Sequence, residues 1–217
     1  MSPAWYSAAA IIGYILGSLP FGYVVARAHG VNIFKEGSGN PGATNVKRVL
    51  GEKFGAKGKR AGNMVFALDA VKGALAAGWP MFTALANADA RVLGLVGVIA
   101  AVLGHSFSIF TKFKGGKGVA TAAGGLIVLM PVSCLVGAVV WVLTFVTTRY
   151  VSLGSVLAAV AVPAMSWLRW SQGDHPLAFS VVASALGLFV IVRHRANIKR
   201  LLAGTEPRFT KTTPAQP

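Results

Sequence analysis

Three short stretches of this 217-residue chain concentrate residue types that bind anions: Glu36 to Arg48, Gly104 to Thr121 and Arg193 to Glu206. In the first, Gly37, Gly39 and Gly42 leave room for backbone N–H groups to converge on an anion. Ser38, Asn40, Thr44 and Asn45 add neutral donors there, and Lys47 and Arg48 add charge. In the second, Lys112, Lys114 and Lys117 surround the pair Gly115-Gly116 just before a helix start, and helix N-termini favour phosphate. Lys112 and Lys114 also fit a basic cluster that meets lipid headgroups, whereas Lys117, with a glycine on each side, points more specifically to a site. In the third, His194 and Asn197 are three apart and share one face of a helix. Ile198, Leu201 and Leu202 give that helix an apolar side that suits a bilayer surface.

Other chemistries are disfavoured by pattern. The glycines of the first stretch have dinucleotide-fingerprint spacing, but the required preceding strand and βαβ unit are missing. The second stretch is not a Walker A loop, because its glycine-to-lysine spacing and following residues are wrong. The acids Glu36, Glu52, Glu206 and Asp69 are scattered rather than clustered for Mg²⁺. Cys and His lack zinc-ligand spacing, and no Gly-x-Ser-x-Gly elbow occurs. No histidine is followed five residues later by Asp. Basic groups and neutral donors remain, which suit an anionic substrate and chemistry with no metal and no cofactor.

The elements that must position these stretches are membrane helices. Apolar residues make up 54% of the chain and charged residues 12%, with 21 Lys/Arg against 6 Asp/Glu for a net charge of +15. A soluble domain carries roughly 25% charge. The single cysteine, Cys134, excludes a disulfide scaffold. A basic nucleic-acid binder is excluded by the long uncharged runs, the first being 5–26. Further runs cover 64–86, 92–110, 119–130, 131–148, 150–168 and 177–192. The run 119–130 makes only about 18 Å of helix and could join 131–148 as one helix kinked at Pro131. With seven spans and the N-terminus outside, 18 of the 21 cations lie on the cytoplasmic side, as the positive-inside rule asks. The expectation is therefore an all-α polytopic membrane protein of about seven helices with a cytoplasmic C-terminus. Residues 1–206 would form one domain, and 207–217 a disordered tail. Asp69 and Lys72, three apart inside a span, are either functional or a mutual ion pair.

Together, Gly37-Ser-Gly-Asn-Pro-Gly-Ala-Thr-Asn45, Gly104-His105 with Lys112-Phe-Lys-Gly-Gly-Lys-Gly-Val-Ala-Thr121, and Arg193-His194…Asn197…Gly204-Thr-Glu206 resemble the bacterial acyl-phosphate:glycerol-3-phosphate acyltransferases, the PlsY family. The match spans nearly the whole chain. One departure is Ser108, where a proline is common. The resemblance implies transfer of a fatty acyl group from acyl phosphate to the 1-hydroxyl of glycerol 3-phosphate. Lysophosphatidic acid and phosphate would be released at the cytoplasmic face of the bacterial inner membrane. Acyl phosphate, glycerol 3-phosphate and the lipid bilayer are thus the expected partners, with no nucleic acid.

On these motifs the expected catalytic groups are Ser38, Lys117, His194 and Asn197. Substrate or phosphate contacts are expected from Gly37, Gly39, Asn40, Thr44, Asn45, Arg48, His105, Lys112, Lys114, Gly115, Gly116, Arg193 and Glu206. Arg48 and Lys117 come first for the phosphates, with Arg195 among the reserves. His194 either orients a hydroxyl while the substrate's own phosphate takes the proton, or acts as general base. Ser38 as a covalent nucleophile is a third option. The rival class is a small anion channel or transporter.

Overall fold

The computed structural model describes residues 2–83 and 87–209, and among them there are α-helices and short 3-10 turns but no strand. The α-helices are α1 (Pro3–Ser18), α2 (Phe21–Ala28), α3 (Ala43–Gly78), α4 (Asn87–Ser106), α5 (Val119–Leu129), α6 (Pro131–Thr148), α7 (Val151–Ser171), α8 (Leu177–Arg193) and α9 (Arg195–Leu202). Among the described residues, five stretches are long and apolar enough to cross a membrane, or six when α8 and α9, bent by 59°, are counted as one broken span. The eleven residues of α5 are too few by that measure. The expected first span is broken between α1 and α2, because Pro20 pushes Leu19 out of the helical region (φ −55°, ψ 114°).

Pro131 does not kink one long helix; it starts a returning one. Val98 and Val102 of α4 pack against Gly125 and Gly118, so α5 runs antiparallel to α4. Its last carbonyl, Leu129 O, accepts from Arg91 Nη2 at 3.0 Å near the start of α4. Cys134 Sγ, just after Pro131, meets Ala123 O at 3.4 Å, which requires the chain to have turned back. The arms alternate in direction from there on, since Gly137 meets Val162 and Trp141 meets Gly154.

Small residues let these helices approach closely, as membrane bundles favour. Gly13 and Gly17 of α1 lie on the backbone of Gly97 and Ala101, and Gly73 of α3 lies on Thr121 of α5. The main apolar core joins α4, α5, α6 and α8 through Val98, Val102, Leu126, Cys134, Phe179 and Leu186. The outer face of α6 shows Leu135, Val139, Val142, Leu143 and Val146, an apolar surface suited to lipid.

One feature was invisible in the sequence. At Gly55 the backbone of α3 takes φ 57° and ψ −130°, a conformation open to glycine, and the helix folds back on itself. Gly58 then lies against Leu50 and Gly62 against Lys47. The short first arm, 43–54, is clamped beside the long second one. A second core of Val25, Ile33, Val46, Leu50 and Val65 fixes that hairpin under the first motif. The ordered chain also extends past 206: Phe209 N–H donates to Arg149 O at 3.0 Å, and Arg208 Nε donates to Tyr150 Oη at 2.9 Å. Residues 210–217, the rest of the expected tail, lie outside the described residues.

Candidate active site

All three motifs meet at one end of the bundle. The first loop is organised by Asn45, which is buried. Its Nδ2 donates to Glu36 O and its Oδ1 accepts from the Ser38 N–H, both at 3.0 Å. Gly37 (φ 58°) lies directly against that side chain, so a Cβ there would collide with it. Asn40 Oδ1 accepts the Gly42 N–H at 2.8 Å, which settles the turn into α3. Ser38, Asn40, Thr44 and Arg48 then face a common cavity together with the N-terminus of α3.

The second loop is tied at several points. Ser108, the departure from the family pattern, donates to Ser18 O at 2.6 Å and accepts from the Phe110 N–H at 3.2 Å. Its hydroxyl fixes a turn that a proline would stiffen by its ring. Gly116 N–H donates to His105 O at 3.1 Å. Arg193 Nη2 donates to Gly116 O at 2.8 Å and Gly115 O at 3.3 Å, with its guanidinium over the Phe107 ring. These ties deliver Lys117 to the cavity, where its Nζ donates to Asn197 Oδ1 at 2.6 Å.

The third motif is held by a carboxylate. Glu206 Oε1 accepts from Asn197 Nδ2 at 2.7 Å and from Ser152 Oγ at 2.6 Å, while Oε2 accepts from Arg200 Nε at 2.7 Å. Asn197 therefore has one orientation, with its amide toward Glu206 and its oxygen toward Lys117. His194 is buried at the α8–α9 bend, and its Nδ1 lies 2.8 Å from Val190 O. A carbonyl only accepts, so Nδ1 carries the proton and Nε2 keeps a lone pair.

Electrostatics follow from this packing. Burial, opposed by Glu206 and reinforced by Arg200, Arg193 and Arg48, pushes Lys117 down to about 8. Burial alone would raise Glu206, but donors from Ser152, Asn197 and Arg200 hold its carboxyl below the usual range.

The cavity has a volume of about 350 Å³, within the range of small-molecule sites. Its polar end carries Arg48, Lys117, Arg200, His194 and Asn197; Phe66, Val119, Trp141, Phe145 and Val151 form an apolar wall. Not every expected residue reaches it. Gly37, Gly39 and Asn45 shape the first loop, although Asn45 also touches the cavity. Lys112 is an exposed turn residue, and Lys114, Gly115 and Gly116 border a separate small recess. Arg193 clamps the second loop rather than lining the cavity, whereas Glu206 borders the cavity with its carboxylate bonded to three donors. Arg195 lies on the opposite side of α9. His105 does border the cavity, beside Asp69. Sequence reasoning missed Ser152 and Arg200. Arg200 was detectable, being three residues after Asn197 on one helical face; Ser152 carries no local signal. Among the described residues, no three His, Cys, Asp or Glu side chains converge as metal ligands.

Long apolar helices around a cation-lined, half-apolar cavity define a polytopic integral membrane enzyme. The family described as Glycerol-3-phosphate acyltransferase matches residues 7–204, and the chain belongs to that family. A glycerol-3-phosphate acyltransferase of Aquifex aeolicus is 41% identical over 201 residues, covering 92% of this chain and 96% of the relative. Two crystal structures of PlsY, an integral membrane glycerol 3-phosphate acyltransferase, share the fold at 37% identity. Its glycerol 3-phosphate form has a TM-score of 0.81, with 94% of this chain and 96% of that one covered. Its lysophosphatidic acid form has a TM-score of 0.79, with 94% and 95% covered.

Proposed function

We propose that this acyltransferase moves a fatty acyl group from acyl phosphate to the 1-hydroxyl of glycerol 3-phosphate. The products are lysophosphatidic acid and inorganic phosphate, in the first committed step of phospholipid synthesis. The observation that carries the reading is the Lys117–Asn197–Glu206 chain of hydrogen bonds, 2.6 and 2.7 Å, joining two motifs beside Arg48 in a cavity with an apolar wall. An acyl phosphate needs such a place, with cations for its phosphate and a wall for its chain. The glycerol 3-phosphate and lysophosphatidic acid forms of the PlsY structures support the same pairing of acceptor and product.

Lys117, Arg48 and Arg200 screen the repulsion between two phosphates, Arg as a fork and Lys as a point charge. His194 Nε2 accepts a hydrogen bond from the neighbouring 2-hydroxyl of glycerol 3-phosphate, which holds the 1-hydroxyl oxygen toward the acyl carbonyl and leaves its proton free. Ser38, Asn40 and the α3 N-terminus donate to the oxyanion that develops there. The new C–O ester bond forms as the carbon–oxygen bond to phosphate breaks. Phosphate leaves with the electron pair and takes the 1-hydroxyl proton, since His194 Nε2 is engaged by the 2-hydroxyl and its Nδ1 is backed by the Val190 carbonyl rather than by a carboxylate. The site works at the cytoplasmic leaflet of the inner membrane, with the N-terminus outside, a reading that the one-sided distribution of cations supports.

The test uses purified protein in liposomes with acyl phosphate and glycerol 3-phosphate. Phosphate release only when both are present supports the enzyme. Anion flux across the bilayer without turnover overturns it in favour of a transporter.

A further inference from the structure

The proposed reaction leaves a buried ionic cluster unused. Asp69 and Lys72, on successive turns of α3, are 2% and 3% exposed and form an ion pair at 2.8 Å. Lys72 Nζ also donates to Leu19 O at 2.9 Å and lies over the Phe21 ring, so it is fully engaged at the α1–α2 break. Asp69 has a second partner on another helix. His105 Nδ1, at the end of α4, faces the same carboxylate oxygen at 3.5 Å. This is a close polar approach, longer than a good hydrogen bond, between two buried groups. The far edge of that imidazole, Nε2, is the nearest atom to the space that a Cβ on Gly116 would occupy. The His105 carbonyl accepts the Gly116 N–H at 3.1 Å as well. Ring and carbonyl of one residue thus hold Gly116, the residue directly before Lys117.

We propose that the Asp69–His105 pair is the positioning device for Lys117, with Lys72 neutralising the carboxylate that steers the ring. Asp69 fixes the imidazole, the imidazole fills the gap left by a side-chain-free Gly116, and the loop presents the Lys117 ammonium to Asn197. Histidines that bind metals are oriented by a carboxylate behind them in a comparable way; here the oriented ring supports a loop. Carrying a buried ion pair in a membrane segment is costly, which argues for a role beyond packing. Asp69 and His105 border the catalytic cavity together with Lys117 and Gly118, so a disturbance in the pair reaches the site without an intermediary.

The inference rests on the acyltransferase reading for what Lys117 does, but its test does not need turnover. The apparent pKa of each lysine is read from the pH dependence of trace acetic anhydride labelling, quantified by mass spectrometry. Wild-type Lys117 should titrate at about 8, held there by burial among Glu206, Arg200, Arg193 and Arg48. Three variants leave those groups and His194 untouched. His105→Phe keeps a ring against Gly116 and removes the link to Asp69. Asp69→Asn with Lys72→Met removes both charges together, so that no unpaired ion is buried. Gly116→Ala displaces the ring from the loop side and lies outside the helices, so it remains informative when a core variant fails to fold. In each folded variant the Lys117 ammonium should relax into water and titrate at least about one unit higher, toward the ordinary 10.4. Lys112 and Lys114 should keep their labelling, and kcat/KM should drop about tenfold, chiefly through KM for the phosphorylated substrates. A Lys117 that still titrates near 8 in the folded variants overturns the proposal, whether or not activity falls. Absence of turnover in the wild-type protein, with the labelling shift intact, would count against the function and not against the positioning.

Discussion

Glu206 bonds three donors at the edge of the cavity, and its charge should set the pH range of the enzyme. In Glu206→Gln a negative charge disappears two hydrogen bonds away from Lys117, across the Asn197 amide. The bonds are 2.6 and 2.7 Å, which places the charge roughly 7 Å from Nζ. At an effective dielectric of about 20, that separation is worth at most about 2.4 kcal/mol. Lys117 is partly exposed, so screening reduces the effect to about one pH unit. The sign follows from the charge. Glu206 favours the ammonium, so its loss lowers Lys117 from about 8 to about 7. Protonated Lys117 is the active form, and kcat/KM reports the free enzyme. The alkaline limb of the profile should therefore move from near 8 to near 7. At pH 7.5 the protonated fraction falls from about three-quarters to about one-quarter, a threefold loss from charge alone. The amide also turns one NH₂ toward the donors of Arg200, Ser152 and Asn197, at a stability cost of about 1.5–3 kcal/mol. Initial rates of phosphate release at subsaturating glycerol 3-phosphate, from pH 6 to 9.5, measure the limb. A limb that stays near 8 or moves upward refutes the link between Glu206 and Lys117.

Other substitutions probe separate parts of the site. His194→Ala should remove at least about 99% of activity, whereas His194→Gln, which keeps an acceptor, should retain part of it with an unchanged pH profile. A profile that loses a limb in active His194→Gln would make His194 the base. Arg193→Lys loses the fork onto Gly115 O and Gly116 O and should destabilise the protein by about 1–2 kcal/mol, read as a lower Tm. Phe209→Ala removes the ring beneath the Arg48 guanidinium, 5.4 Å from its centroid, and should raise KM for the phosphorylated substrates about threefold while sparing kcat. Unchanged KM in that variant would show that the ring does not hold Arg48 for substrate.

Much of the site was legible because its chemistry is written in unusual local composition. Glycines beside Asn, Ser and Lys, set between long apolar runs, have few other uses, and the predicted convergence of three motifs is what the structure displays. Roles within the motifs were less legible, because a cation in sequence does not say which way it points. Arg193 looks like a phosphate ligand until its fork is seen on two carbonyls of the second loop. Glu206 reads as a binding residue, but its three donors make it a bracket. The reversal at Gly55 left no trace either, since glycine is frequent in this chain and only a backbone in a left-handed conformation marks the turn. Apolar periodicity located the helical segments well and their ends poorly. Pro20 and Pro131 are both breaks, but one interrupts a span and the other reverses the chain, a difference decided by what packs alongside.

The donor is the point on which the account stands. Purified protein reconstituted in lipid should be given radiolabelled glycerol 3-phosphate with either acyl phosphate or acyl-CoA of the same chain. Acyl phosphate should give labelled lysophosphatidic acid and inorganic phosphate in equal amounts, and acyl-CoA none. Lysophosphatidic acid formed from acyl-CoA, with acyl phosphate inert, would contradict acyl phosphate as the donor.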